Sequence, residues 1–362
     1  VVKFGVQFFP AVSPETKSGE EYFSDALDIA EAADRLGYTT IRIVEHHFHW
    51  YGGYSPNPLL FLAAAAQRTK QARLVTGAVL PIFNNPLKLA GEIAMCDAIA
   101  RGRLDVGFAR AFLPHEFRKF GRSLDESFAR FTEGIEQVDL LLRNENVTHH
   151  GQFHTIENTT VYPRPTQKPR PKFYVAATNN PETFAFAGRN GYGVMAIPMV
   201  GERVREAVRI YREAYREWGR ANGVPGDGEV MIAFHMFVDE DGERARRIAK
   251  PRIEAYFAAI AEAMADWVDT TSKDYHGYDK IVEKMRTETL ESQIESGSAW
   301  IGTPAEVRAQ IAGRLADYGP FEHASMQVNF GDLPLAEAQR SLQLFADEVM
   351  PAFAERPAAT AP

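Results

Sequence analysis

The sequence predicts a (β/α)8 barrel, and three observations carry that prediction. Short apolar, β-branched runs alternate with amphipathic runs along the whole chain, which implies a parallel sheet. Eight such strand-like runs are present, nearly all followed by a helical run, and eight units imply closure into a barrel. The turn after the first run, Pro10-Ala11-Val12-Ser13-Pro14, lacks the glycines of a dinucleotide turn, which disfavours an open, doubly wound sheet.

Taken in order, Lys3–Phe9 reads as strand, and Gly19–Leu36 as an amphipathic helix closed by Gly37. Thr40–Val44 is the second strand and Asn57–Lys70 its helix, in which Ala63 to Ala66 allow close packing. Arg73–Leu80 and Arg103–Ala109 are strands flanking a helix over Leu87–Ala100, and Asp125–Arg143 is a long helix. Phe173–Ala177 and Gly193–Ile197 are strands, followed by helices Glu182–Asn190 and Val204–Asn222 respectively. Val230–Val238 and Ala324–Phe330 complete the eight strands, and Glu240–Met264, Pro304–Tyr318 and Leu335–Phe353 read as helices.

Two insertions break the rhythm. Residues 146–170, rich in Thr, His and Pro, read as a β-hairpin with an extended return. Residues 266–298 are polar, and a segment of that length before the last strand is expected to be a lid. Residues 1–355 are therefore expected to form a single domain, and the Pro/Ala-rich stretch 356–362 a disordered tail.

Composition narrows the function classes. Of the 362 residues, 45% are hydrophobic and 24% charged, as in ordinary globular proteins. A formal net charge of −8 argues against nucleic acid or an anionic membrane as the main partner. The single cysteine, Cys96, permits no intrachain disulfide and no thiolate zinc site. With a strand pattern starting at the amino terminus and no run of about 18 apolar residues, a cytoplasmic location is expected.

The chemistry concentrates at strand ends. Ile41-Arg42-Ile43-Val44 stops abruptly in Glu45-His46-His47, ionisable groups at the end of a strand where barrels place their active sites. A metal site and a structural histidine pair are both possible readings of those residue types. Adjacent strand residues face opposite ways, however, which disfavours a shared ion. Acid–base work by a histidine oriented by a carboxylate is the reading that uses all three residues. The fourth strand ends in Arg110, a forked donor for phosphate or carboxylate. The fifth runs through Thr178, Asn179 and Asn180 into a helix carrying Thr183, a natural anion site, so the two strand ends together suggest a mononucleotide phosphate.

The chain resembles the bacterial-luciferase-like, flavin-dependent monooxygenases, and in particular the catalytic subunit of bacterial luciferase. The resemblance rests on Glu45-His46-His47-Phe48, Asn57-Pro58, Val79-Leu80-Pro81, Gly102-Arg103-Leu104 leading to Arg110, and Phe120-Gly121. It continues through Tyr174-Val175-Ala176-Ala177, Gly277-Tyr278-Asp279, Gly302-Thr303-Pro304 and Val349-Met350-Pro351, so it spans nearly the whole chain. It implies a two-component enzyme using reduced FMN, supplied by a separate reductase, and dioxygen through a flavin hydroperoxide. The implied substrate is an apolar aldehyde-like molecule or a secondary metabolite, and the implied assembly a homodimer formed through the helices after the second and third strands.

By the same resemblance His46 is the acid–base residue, with Glu45 and His47 beside it. Gly77 and Ala78 form the backbone against which the flavin ring packs, through a non-proline cis peptide. Arg110 holds the phosphate with Thr178, Asn179, Thr183 and the backbone around Phe112. Ala109 stands where the luciferase subunit has a reactive cysteine, so light emission is unsupported. A second family arginine falls at Phe128, and Arg130 is the substitute on offer. Phe8, Phe9, Phe48, Trp50, Tyr51 and Phe83 are candidates for the wall of an apolar pocket, and Tyr275, His276 and Tyr278 mark the lid. Two other readings stay open: a deazaflavin-dependent oxidoreductase on the same barrel, and a non-catalytic flavin-binding subunit.

Overall fold

The computed structural model describes residues 2–178, 180–197 and 202–354; Asn179 and the expected disordered tail lie outside them. The strands are β1 (Lys3–Phe8), β2 (Thr40–Ile43), β3 (Arg73–Val79), β4 (Leu104–Phe108), β5 (Val147–His150) and β6 (Thr155–Thr159). They continue with β7 (Lys172–Ala177), β8 (Gly193–Ala196), β9 (Val230–Val238), β10 (Ala299–Gly302) and β11 (His323–Gln327). Parallel pairing runs β1-β2-β3-β4-β7-β8-β9-β11 and returns to β1, closing the (β/α)8 barrel. The antiparallel β5–β6 pair forms the hairpin insertion.

Three differences from the sequence reading bear on the site. Strand β10 was not foreseen; it pairs with His235–Val238, the part of β9 beyond its pairing with β8 at Val230 to Ile232. Residues 266–298, read from composition as a long polar segment, contain helices Tyr278–Thr287 and Leu290–Glu295. A short helix, Pro114–Lys119, follows β4 and went unread because six residues carry no periodicity.

The helices start where their caps dictate. Asn57 and Asn85 each accept a backbone N–H two residues on, with proline in the first turn, and Thr303 forms a capping box with Glu306. Strand side chains then divide between two cores. Leu74, Val106, Phe173, Val194 and Ile232 pack against the helices, whereas Val75, Tyr174, Met195 and Met231 form a separate cluster inside the barrel. Cross-strand register extends that inner set. Arg42 pairs with Val75 on one side and Gln7 on the other, Gln7 with Gln327, and Gln327 with His235. Paired residues share a sheet face, so Arg42, Gln7, Gln327 and His235 form a buried polar row inside the barrel. No helix among the described residues is long and apolar enough to cross a membrane.

Candidate active site

The chain leaves β2 at Ile43, and the next four residues turn across the carboxyl end of the barrel. His46 N donates to the Ser55 carbonyl, and Ser55 Oγ donates to the Val44 carbonyl, which pins the turn. Glu45, His46 and His47 are all buried, and the two histidines face different surroundings. The His47 ring is 3.1 Å from Glu45 Oε1, through Nε2, and stacks edge-on to Phe83 and Phe120. Glu45 also accepts from Leu80 N at 3.0 Å and Asn84 Nδ2 at 3.2 Å. Burial raises the Glu45 pKa, and the His47, Leu80 and Asn84 contacts oppose that rise.

His46 instead faces Phe9, Tyr51 and Phe112, with ring centroids 5.4, 5.3 and 5.9 Å away. Its Nδ1 lies 3.2 Å from Oε1 of Glu116, on the short helix after β4. The same oxygen accepts the His47 backbone N–H at 2.8 Å. A carboxylate at Nδ1 favours the Nδ1–H tautomer and leaves Nε2 as the atom able to take or give a proton. Gly52 lies against the other side of the ring, where an added Cβ would come within 2.7 Å of it. The glycine therefore leaves the room that His46 occupies.

Arg110 follows β4 and is half-buried. Among the described residues no carboxylate forms an ion pair with it. Its Nη2 donates to the Asp274 carbonyl at 2.8 Å, and its guanidinium lies 4.5 Å from the Tyr275 ring centroid. Tyr275 in turn donates to the Ala111 carbonyl, and Trp267 Nε1 to the Phe112 carbonyl. The segment expected to be a lid is thus docked on the loop after β4. Thr178 hydrogen-bonds Tyr278 of the same segment.

Ala109 and Phe112 border this seam, whereas Thr183 is buried in the helix Pro181–Arg189. The free N–H groups expected at that helix start are largely used: Asn180 accepts from Glu182 N through its side chain and from Thr183 N through its carbonyl. Asn179 lies outside the described residues. Arg130, the residue on offer in place of the family arginine at Phe128, has partners of its own. It pairs with Glu126 at 2.8 Å and covers the Phe153 ring, while the Phe128 ring lies under Arg110.

Gly77 and Ala78 end β3, where the register with β4 shifts and the Gly77–Ala78 peptide is cis. Of the candidate wall aromatics, Phe9 and Tyr51 meet His46, joined by Tyr256, whose hydroxyl is 3.2 Å from that of Tyr51. Phe8 points the other way and packs on Phe61 in the outer core, as alternation along β1 requires. Among the described residues no group of three or more His, Cys, Asp or Glu side chains is placed to hold a metal ion.

Glu116, Arg42 and Tyr256 are the site residues that sequence reading missed. Arg42 alone carried a signal, a charge on an otherwise apolar strand. Glu116 and Tyr256 reach the site only through the fold.

A parallel barrel with a buried histidine held by a carboxylate at the carboxyl ends of its strands defines an enzyme of the (β/α)8 class. The chain belongs to the luciferase-like monooxygenase family, whose description matches residues 2–320, and is a flavin-dependent oxidoreductase. It is 30% identical over 352 residues to the uncharacterized protein y4wF of Sinorhizobium fredii, covering 96% of both chains. It is 28% identical over 355 residues to the oxygenase component of a flavin-dependent trigonelline monooxygenase of Acinetobacter baylyi, covering 94% of this chain and 92% of that one. An F420-dependent glucose-6-phosphate dehydrogenase of Amycolatopsis mediterranei is 26% identical over 348 residues, covering 92% and 96%. Among solved structures, the monooxygenase RslO1 of Streptomyces bottropensis superposes with a TM-score of 0.86 at 40% identity, covering 98% of this chain and 100% of that one.

Proposed function

We propose that this protein is the oxygenase component of a two-component monooxygenase that uses reduced FMN, delivered by a separate flavin reductase, and dioxygen. The substrate is an apolar aldehyde-like molecule or a secondary metabolite. The observation that carries the reading is that His46, held by Glu116 and walled by Phe9, Tyr51 and Phe112, opens on the same barrel end as Arg110.

The residues present fit FMN. Arg110 is a guanidinium with a carbonyl and two aromatic rings for neighbours, free to take a phosphate, and Ala109 and Thr178 add no negative charge beside it. Gly77 and Ala78 give a backbone surface with almost no side chain, suited to a flat ring. Reduced FMN, when bound, supplies the two electrons needed to place one oxygen atom of dioxygen on the substrate and release the other as water. His46 Nε2 gives or takes the accompanying proton, Glu116 keeps the imidazole oriented, and the docked segment 266–278 excludes bulk water.

A homodimer is part of the proposal. Leu60 is 72% exposed and Met95 58% exposed on the neighbouring helices Pro58–Arg68 and Pro86–Ile99, an apolar face open to a second copy.

One observation favours a second reading. A 26% identical relative is an F420-dependent glucose-6-phosphate dehydrogenase, so a deazaflavin that accepts hydride serves as cofactor among the relatives. Anaerobic titration with photoreduced FMN and with reduced F420, followed by mixing with oxygenated buffer, decides between them. The proposal expects tight binding of reduced FMN and reoxidation slower than that of free reduced FMN. Binding of F420 alone would overturn it. His46→Ala is expected to abolish substrate oxygenation while FMN binding persists, which also separates an enzyme from a merely flavin-binding subunit.

A further inference from the structure

Arg42 is the arginine of the buried polar row inside the barrel. It is 92% buried by residue surface, 8% remaining exposed. Among the described residues no acidic side chain forms an ion pair with it, and its one hydrogen bond there runs from Nη2 to the Gly77 carbonyl at 3.2 Å. Nε and Nη1 are buried without a partner. Its row-mates add no charge of opposite sign: Gln7 and Gln327 are neutral amides, and burial lowers the His235 pKa to about 4, so that ring is neutral at pH 7. By contrast Arg73, at the opposite end of the barrel, is held bidentate by Asp105.

An unpaired guanidinium in so dry a place is costly unless something anionic completes it. Burial lowers the Arg42 pKa only to about 10, so the charge stays on at neutral pH. The Arg42 side chain also packs closely against Gly77, through Nε and the Cγ and Cδ of its stem. A Cβ at residue 77 would sit 1.8 Å from Arg42 Nε, which makes glycine a requirement of that packing.

We propose that Arg42 is a cofactor-recognition residue, the fixed cation that selects the anionic reduced flavin over the neutral oxidised one. The inference rests on the flavin reading above, which places the ring on the Gly77–Ala78 backbone that Arg42 covers. Two-electron reduction leaves the pyrimidine end of a flavin able to carry a delocalised negative charge, and a planar, always-charged guanidinium matches such an anion. An enzyme that must capture reduced flavin from a separate reductase and let the oxidised form go gains from that discrimination.

The test compares wild type with Arg42→Met and Arg42→Lys, measuring oxidised-FMN affinity by absorbance titration and the midpoint potential of the bound flavin under anaerobic conditions. The charge-assisted contact is expected to make Arg42→Met bind reduced FMN about 10- to 100-fold more weakly, with oxidised-FMN affinity changed less than about threefold. Each tenfold of that selectivity lowers the midpoint potential of bound FMN by about 30 mV when lost. Arg42→Lys, which keeps the charge and loses the fork, is expected to fall between. Equal losses for both redox states, or no loss for either, would overturn the assignment of Arg42. Wild-type protein that binds neither form of FMN would instead bring down the flavin reading on which the inference rests.

Discussion

One oxygen of Glu116 serves both histidines of the site: Oε1 lies 3.2 Å from His46 Nδ1 and 2.8 Å from the His47 backbone nitrogen. The other oxygen, Oε2, is buried with no hydrogen-bond partner among the described residues. The Pro114–Lys119 helix is therefore tied to the turn after β2 through a single carboxylate, and the imidazole orientation depends on that tie. Glu116→Ala is expected to cost about 2–3 kcal/mol in urea unfolding, because the His47 N–H loses its acceptor in a dry place. Glu116→Gln keeps an acceptor and should lose about 1 kcal/mol or less. Nitrogen-15 NMR of labelled histidine should show His46 as the Nδ1–H tautomer in wild type and a mixture in Glu116→Ala; an unchanged tautomer would show that the carboxylate does not orient the ring.

The Arg110 guanidinium has a distinct signature. Replacing it by alanine should weaken FMN binding about 10- to 100-fold, the range for charge-assisted contacts to an anion, while riboflavin binding changes by less than about twofold. A parallel loss for riboflavin would mean that Arg110 shapes the loop and does not hold the phosphate.

Gly77 and Arg42 are coupled by packing. Gly77→Ala puts a methyl group on the guanidinium, and overpacking of this kind costs about 1–3 kcal/mol. In an Arg42→Ala background the same change should cost less by at least about 1 kcal/mol. Strict additivity in thermal or urea melts would show that the two side chains do not compete for that space.

His235 makes stability depend on pH. Its folded pKa is lowered from 6.5 to about 4 by burial, so the unfolded chain binds the proton more readily. The stabilisation is complete above pH 6.5 and is lost as pH falls towards 4. Between pH 7 and pH 4.5 this amounts to about 2–3 kcal/mol. His235→Gln, which cannot titrate, should lack that part of the decline when urea-unfolding free energies are compared at the two pH values.

The lid is anchored by Tyr275, whose hydroxyl reaches the Ala111 carbonyl and whose ring lies under Arg110. Tyr275→Ala removes both contacts. Amide hydrogen exchange over residues 266–278 is expected to speed up about 10-fold or more, with β1 to β4 unchanged. Exchange that does not change would place the anchoring elsewhere.

Several parts of this molecule could be read directly from residue order. Buried parallel strands announce themselves as mostly apolar runs, since both faces of each strand are covered, with Arg42 and Asp105 as polar exceptions in β2 and β4. The acid and histidines at residues 45–47 and the arginine at 110 stand out because ionisable groups rarely end such runs. The hairpin at 147–159 was legible from its β-branched, turn-rich composition. Strand β10 was not, because it directly follows the polar stretch 266–298 and its partner is distant in sequence. Arg130 illustrates a different limit: the resemblance offered it in place of a family arginine at Phe128, and the fold gives it Glu126 and the hairpin's Phe153 as neighbours.

What the sequence determined by itself was the alternation that closes the barrel and the identity of the groups at its carboxyl end, because periodicity and strand polarity are local properties of the chain. Only the tertiary structure decided which groups act together. Glu116 meets His46 across 70 residues, Asp274 meets Arg110 across 164, and Arg42 meets Gly77 across 35. Those pairings come from the closure of the sheet and from the docking of one insertion. No spacing in the sequence encodes them, because contact between distant residues is fixed by register and packing of the whole barrel.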